Sequence, residues 1–302
     1  MPRVESYLRG EELPHVWCAG CGNGTIVREL IQAVDQLGWS KDEVAVIGGI
    51  GCSGRTPFIL DFNTMHTTHG RALAFATGVK LARPELHVVV ASGDGDASGI
   101  GGNHFIHACR RNIDLTLLVF NNGLYGQTGG QLAPTTPMGA RTATTRTGNI
   151  DPPFDIAQLA LAAGASFVAR TTTFDNQDQE MKRFIQLALA HRGFSLVEVL
   201  CQCPTYFGRM NGLGDPHEML FHLRDETLPL EELPEVLHRW EEQVRAQTVS
   251  LEQAKGMLPE ELAGKILTGI FCNEDRPEYT QSYQELQQSL QTHDKQEKAG
   301  VA

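Results

Sequence analysis

The stretch Leu86-His87-Val88-Val89-Val90-Ala91-Ser92-Gly93-Asp94-Gly95-Asp96 decides the fold. Leu86–Ala91 is a near-continuous apolar run, as a parallel strand buried on both faces requires. Two glycines then break it, and Gly99–Arg111 reads as a helix. Ile113–Phe120 is a second apolar run, closed by Asn121-Asn122. Strand, glycine turn, helix and strand make one βαβ unit. Outward from it, Val44–Ile50 and Ser195–Leu200 read as further strands. Thr68–Ala82, Ile156–Ala163 and Asp178–Ala190 read as helices. This alternation implies an α/β domain with a mainly parallel sheet flanked by helices.

In such a sheet the ligand crevice lies beyond the C-terminal strand ends. Gly93 and Gly95 allow a tight turn and close backbone approach. Asp94 offers a hard oxygen to Mg²⁺. Asn122 offers an amide oxygen, and the carbonyl of Leu124 a third donor. The following helix would point its positive dipole end at a diphosphate. A glycine turn with a helix-capping aspartate is the plainer reading. The return of two asparagines after one helix and one strand makes it the weaker one. The spacing resembles the diphosphate motif of thiamin-diphosphate enzymes. Asp96 has two readings of equal weight, a contact to the cofactor or the water shell of its metal, and a simple helix cap. His104 and His107, one helical turn apart, read as packing or hydrogen-bonding groups rather than a metal pair, and Cys109 as core.

Seven cysteines are present. In a cytosolic chain, clustered cysteines read as metal ligands or redox groups rather than disulfides. Cys18-Ala-Gly-Cys21 is a CxxC pair in a glycine-rich loop. Cys52 lies in Gly49-Ile50-Gly51-Cys52-Ser53-Gly54-Arg55, and Cys203 in Cys201-Gln202-Cys203-Pro204-Thr205-Tyr206. Four thiolates can hold zinc or a [4Fe–4S] cluster. The diphosphate motif in the same chain favours iron–sulfur, because zinc carries no electrons.

The net charge of −11 argues against non-specific nucleic-acid binding. No run approaches the roughly 18 apolar residues of a membrane span. Met1–His15 carries no apolar signal-peptide core, so a cytoplasmic location is expected. Residues 127–151 form a long Thr-, Gly- and Pro-rich loop, which implies function. Composition shifts to Glu, Gln and Leu near Asp225. The expected organisation is a cofactor-binding domain over 1–225. A C-terminal extension over 226–302 follows, helical in Leu230–Gln247 and disordered over the last ten or so residues.

The motifs together resemble the β subunits of the 2-oxoacid:ferredoxin oxidoreductase family. The resemblance runs through Trp17–Gly22, Gly49–Arg55, Thr68–Ala72, Gly93–Asp96, Arg110–Asn112, Asn121–Gln131 and Cys203–Thr205. Arg276-Pro277-Glu278-Tyr279 looks like the family's C-terminal extension. The resemblance implies cluster ligands at Cys18, Cys21, Cys52 and Cys203, with Cys201 a competitor for the last position. It implies Mg²⁺ on Asp94, Asn122 and the Leu124 carbonyl. Ile50, Gly51, Cys52, Ser53 and His69 would face the thiazolium and diphosphate, with Gly93, Gly95 and Asp96 below them. Tyr125, Gly126, Gln127 and Thr128 would close over the cofactor.

The implied reaction is oxidative decarboxylation of a 2-oxoacid with CoA to acyl-CoA and CO₂, with electrons passing through the cluster to ferredoxin. No catalytic side chain is expected in this chain itself. Thiamin activation needs a carboxylate from a pyrimidine-binding domain, and a second α/β domain would need about 150 further residues. An α subunit is therefore expected to supply the activating glutamate, in an (αβ)₂ assembly. The YGQTGGQ loop most resembles the 2-oxoglutarate branch, with succinyl-CoA as product. Arg141 and Arg146 are candidate clamps for the substrate, or solvated surface charges. Rival readings are a redox-silent thiamin decarboxylase or carboligase subunit, a zinc-stabilised phosphate-binding protein, and the same family acting on pyruvate or branched-chain 2-oxoacids.

Overall fold

A computed structural model describes residues 4–175, 179–235, 237–238, 262 and 264–300. The strands are β1 (Val44–Gly48), β2 (Asn63–His66), β3 (His87–Gly93), β4 (Leu115–Asn121), β7 (Phe167–Thr172), β8 (Phe194–Leu200), β9 (Thr227–Pro229) and β10 (Ile266–Asn273), with β5 (Leu124–Tyr125) and β6 (Gln131–Leu132) forming a separate hairpin. The main sheet runs β2-β1-β3-β4-β8-β7-β10-β9. All neighbours are parallel except β7 and β10.

The apolar runs form central strands because both of their faces are covered. Successive side chains point to opposite faces of a sheet. Val89, Leu118 and Val197 pack with Ile26 and Leu30 of α1 (Asn23–Gln36) and Phe184 and Ile185 of α6 (Glu180–Ala190). Val88, Val90, Leu117 and Leu196 pack on the other face. They meet Leu73 of α3 (Ala72–Ala82), Phe105 of α4 (Gly102–Arg111) and Ile156 of α5 (Ile156–Ala163). Each such side chain, fully buried, contributes about 1.5–3 kcal/mol.

Register brings the strand ends to one level. Gly93 of β3 lies opposite Phe120 of β4, and Asn121 opposite Leu200 of β8. On the other side Gly48 of β1 lies opposite Ala91. The residues just beyond, in the Gly49–Arg55 loop and at Asp94, Asn122 and Cys201, therefore emerge together. The helix after β3 also starts earlier than its periodicity suggests. Residues 96–100 form a wider turn in which Gly101 N–H donates to Asp96 O at 3.0 Å, so helical backbone begins beside the glycines.

Beyond residue 225 the chain holds strands that the expected helix and disorder did not include. Strand β10 pairs antiparallel with β7, with a register shift between Ile270 and Cys272, and β9 pairs with β10. The sheet therefore extends past residue 225, and the last segment is helix α9 (Tyr279–Gly300). The bulge and the left-handed Gly269 (φ +127°) blur the alternation that would reveal β10. Most of the helix expected over Leu230–Gln247 lies outside the described residues.

Candidate active site

One cleft is lined by Ile50, Gly51, Cys52, Ser53, His69, Gly93–Asp96, Asn122 and Leu124–Thr128, joined by Asn23 and Phe120. Every residue expected to face the diphosphate or thiazolium lies on it. Asp94 is 2% exposed. One carboxylate oxygen accepts from the Thr135 hydroxyl, the other from Asn122 N–H at 3.5 Å. Burial pushes its carboxyl up to about 7, with the Thr135 and Asn122 bonds pulling the other way. Asn122 Oδ1 accepts from Leu124 N–H at 3.2 Å, which folds the amide oxygen back over the turn. A buried carboxylate on the same cleft wall as the Asn122 amide and Leu124 fits a divalent cation.

Asp96 has a different task. Its carboxylate accepts from Ser92 Oγ at 2.6 Å, Gly70 N–H at 2.8 Å and Ile50 N–H at 3.3 Å, and meets His69 Nδ1 at 2.5 Å. These bonds tie the β1, β2 and β3 loops together. Asp96 also lines the cleft, so the carboxylate that joins these loops sits where a cofactor would meet it. Gly49 must be glycine here, since a Cβ would lie 2.0 Å from the Asp96 carboxylate. The Tyr125 hydroxyl donates to Gly95 O at 3.1 Å and closes the glycine turn from above.

Two contributors escape sequence reading. Both polar atoms of the Asn23 side chain are buried in the cleft wall without a protein partner. A buried amide in that state costs about 1–3 kcal/mol unless a bound group takes the bond. Asn23 sits in the first turn of α1, whose unpaired N–H groups suit an anion. The orphaned amide and the buried Asp94 are what a metal diphosphate would satisfy. Thr135 is the second, and the 127–151 loop that carries it is a wall tied in place. Thr136 Oγ1 donates to Gly123 O at 2.6 Å, and Asn149 Nδ2 to Thr136 O at 2.8 Å.

A second cavity, about 450 Å³, is lined by Cys18, Cys21, Cys52 and Cys203 with Val16, Trp17, Arg55 and Tyr206. Trp17 Nε1–H donates to Cys52 O at 2.7 Å, and Gly22 N–H to Gln202 O at 3.2 Å, locking the three cysteine loops together. Burial and the neighbouring thiols push Cys21 up to about 12 and Cys52 up to about 11. The four thiols therefore face one space. Cys201 is 4% exposed and packed in the core below the cavity. Cys109 is fully buried, and Cys272 sits by Ala165 and Ser166. His104 bonds Arg71 and His107 faces Arg110, so neither joins the site. Arg141 and Arg146 are exposed and line neither cavity. The cation that does is Arg55, the last residue of the Gly49–Arg55 motif.

The two cavities share Cys52, Asn122, Gly126 and Gln127. Residues 49–199 match the thiamine pyrophosphate enzyme C-terminal TPP binding domain. The chain is 59% identical over 219 residues to 2-oxoglutarate synthase subunit KorB of Archaeoglobus fulgidus, covering 72% of this chain and 79% of that protein. It is 42% identical over 286 residues to the KorB subunit of Methanocaldococcus jannaschii, covering 95% and 97%. A solved 2-oxoglutarate:ferredoxin oxidoreductase from Magnetococcus marinus, with 2-oxoglutarate, coenzyme A and succinyl-CoA bound, superposes with a TM-score of 0.78 at 32% identity. That match covers 96% of this chain and 91% of that one.

The chain belongs to the 2-oxoacid:ferredoxin oxidoreductase β-subunit family. It is a thiamin-diphosphate-dependent enzyme subunit with an α/β cofactor domain. In this β subunit the sheet places the Asp94 cleft and the thiol cavity on either side of the Cys52 loop. No helix among the described residues is long and apolar enough to cross a membrane.

Because Asp96 gathers four donors, Asp96→Ala in the β subunit should lower unfolding free energy by at least about 3 kcal/mol. Urea unfolding of the cofactor-free chain measures it. A change under about 1 kcal/mol would show that the three loops hold themselves without the carboxylate.

Proposed function

We propose that this subunit, with an α subunit, oxidatively decarboxylates 2-oxoglutarate with CoA to succinyl-CoA and CO₂, passing electrons through a [4Fe–4S] cluster to ferredoxin. The observation that carries the reading is the shared wall between the metal-diphosphate cleft and the four-thiol cavity. A one-electron carrier set directly against the cofactor serves oxidation and has no use in a redox-silent carboligase. Four thiols on one cavity suffice for a [4Fe–4S] cluster, and a zinc ion there could carry no electrons.

In this reading Asp94, Asn122 Oδ1 and the Leu124 carbonyl hold Mg²⁺, and Asn23 with the α1 N-terminus meets the diphosphate. Bound thiamin diphosphate supplies the carbanion and the electron sink. Cys18, Cys21, Cys52 and Cys203 ligate the cluster. Cys203 is preferred to Cys201 because it lines the cavity and Cys201 does not. Among the described residues the carboxylates on the cofactor cleft are Asp94, beside the metal donors, and Asp96, which is engaged by its own donors. The glutamate that activates the aminopyrimidine is then assigned to an α subunit, in an (αβ)₂ assembly.

Arg55 is the one Lys or Arg on either cavity among the described residues. It makes no ion pair among the described residues. Gln127, with its amide turned to donate to Gly51 O at 2.8 Å, accepts from the Arg55 guanidinium at 3.0 Å, and Phe58 packs under it. A cation so held is free to pair with a carboxylate of the 2-oxoacid. The relatives acting on 2-oxoglutarate and the Magnetococcus complex support that substrate over pyruvate and branched-chain 2-oxoacids.

Two measurements on the anaerobically purified αβ complex test this. Iron should be about four per β subunit, lost in Cys18→Ser, Cys21→Ser, Cys52→Ser and Cys203→Ser and kept in Cys201→Ser. Absence of iron, or a cluster lost through Cys201→Ser alone, overturns the ligand set. Turnover of 2-oxoglutarate should exceed that of pyruvate and 2-oxoisovalerate in kcat/KM. Arg55→Met should raise the KM for 2-oxoglutarate by roughly 10–100-fold, the loss of one charged hydrogen bond of about 1.5–3 kcal/mol. An unchanged KM would remove Arg55 from the substrate site.

A further inference from the structure

Asn121, the first asparagine of the Asn-Asn pair, has no part in the metal site as described. Its side chain nevertheless shapes that site. Its Oδ1 accepts from Gly123 N–H at 3.1 Å, bridging the turn in which Gly123 takes φ +72°. That turn presents Asn122 Oδ1 and the Leu124 carbonyl. The amide can only face Gly123 with its oxygen if something accepts from its nitrogen on the other side. Glu198 does so, with Asn121 Nδ2 donating to Oε1 at 2.7 Å.

Glu198 lies on β8, 2% exposed, between Val197 and Val199 in the middle of the sheet. A carboxylate there needs a counter-ion, and Arg170 lies directly opposite in register on β7. Arg170 is 4% exposed and donates through Nε to Glu198 Oε2 at 2.7 Å. It also pairs with Asp155, donates to Leu267 O on β10 at 3.2 Å and lies over the Phe271 ring. The chain of bonds runs from β10 through Arg170 and Glu198 to Asn121 and the metal-binding turn.

A buried ion pair gives little stability over apolar residues of the same volume. This one has a geometric use. A carboxylate accepts on both sides at once, from the guanidinium and from the Asn121 amide. A glutamine must turn its NH₂ toward one of those two donors. We infer that Glu198 is a positioning residue for the metal site: it fixes the orientation of the Asn121 amide, and through it the turn that carries the Asn122 and Leu124 oxygens. The inference rests on the proposed Mg²⁺–thiamin diphosphate site and adds to it a residue that touches neither group.

The experiment compares variants of the full chain in complex with its α subunit, measuring the Mg²⁺ concentration that half-saturates thiamin diphosphate binding. Arg170→Met/Glu198→Gln and Arg170→Met/Glu198→Leu both remove the buried pair without leaving a lone charge. They differ only in whether Asn121 keeps an acceptor. The leucine version should need at least about tenfold more Mg²⁺ than the parent, about 1.4 kcal/mol. The glutamine version should stay within about threefold of the parent, less than about 1 kcal/mol. Asn121→Ala, which leaves the ion pair intact and keeps the test open if either double variant fails to fold, should match the leucine version. Equal Mg²⁺ requirements for the two double variants, or an unchanged one for Asn121→Ala, would make Glu198 a structural ion pair and overturn the inference. A parent complex that binds thiamin diphosphate without Mg²⁺, or not at all, would instead overturn the functional reading beneath it.

Discussion

Asp94 holds a carboxylate at the end of β3 where almost no water reaches it, and its titration is pushed up to about 7. Its folded-state affinity for a proton is above that of the unfolded chain. In the metal-free chain the protonated form therefore stabilises the fold at low pH, and that contribution is lost as pH rises through about 7. A bound cation reverses the balance, because it favours the carboxylate and expels the proton. The rest of the cleft is arranged around that exchange. Thr135 and the Asn122 amide orient the carboxylate, the Asn122–Leu124 turn offers further oxygens, and Asn23 is left open for a ligand.

The same sheet register that brings Asp94 to the cleft also gathers the cysteine loops. Strand ends of β1, β3, β4 and β8 meet at one level, so the loop after β1 and the loop after β8 face each other above the sheet. The first carries Cys52 and the second Cys203, with the CxxC loop locked between them by Gly22 and Gln202. Cys52 borders both cavities. The two cavities are therefore separated by a single loop.

Much of this was legible in the sequence because it depended on local patterns. The Gly93–Asp96 turn, the Asn121-Asn122 pair and the cysteine loops each announce themselves by spacing, and all of them reach the two cavities. What was missed depended on tertiary context. Thr135 lies in a Thr- and Pro-rich loop where nothing distinguishes one hydroxyl from the next. Asn23 follows directly on the CxxC pair and only its burial without a partner marks it. Arg55 reads as the end of a glycine loop, whereas Arg141 and Arg146 drew attention by charge and turned out to face solvent. Strand β7 was hidden by Arg170, a charge in the middle of its run, and that charge is explained by Glu198 across the ladder.

The central claim is that Asp94 carries the metal and, through it, the diphosphate. The most direct test is equilibrium thiamin diphosphate binding to the αβ complex carrying Asp94→Ala, at pH 8 with saturating Mg²⁺. The account predicts a loss of affinity of at least about 100-fold, near 2.7 kcal/mol. It also predicts that the metal-free β chain is no less stable to urea than its parent, since a buried carboxylate has been removed. Thiamin diphosphate bound at parental affinity would contradict it.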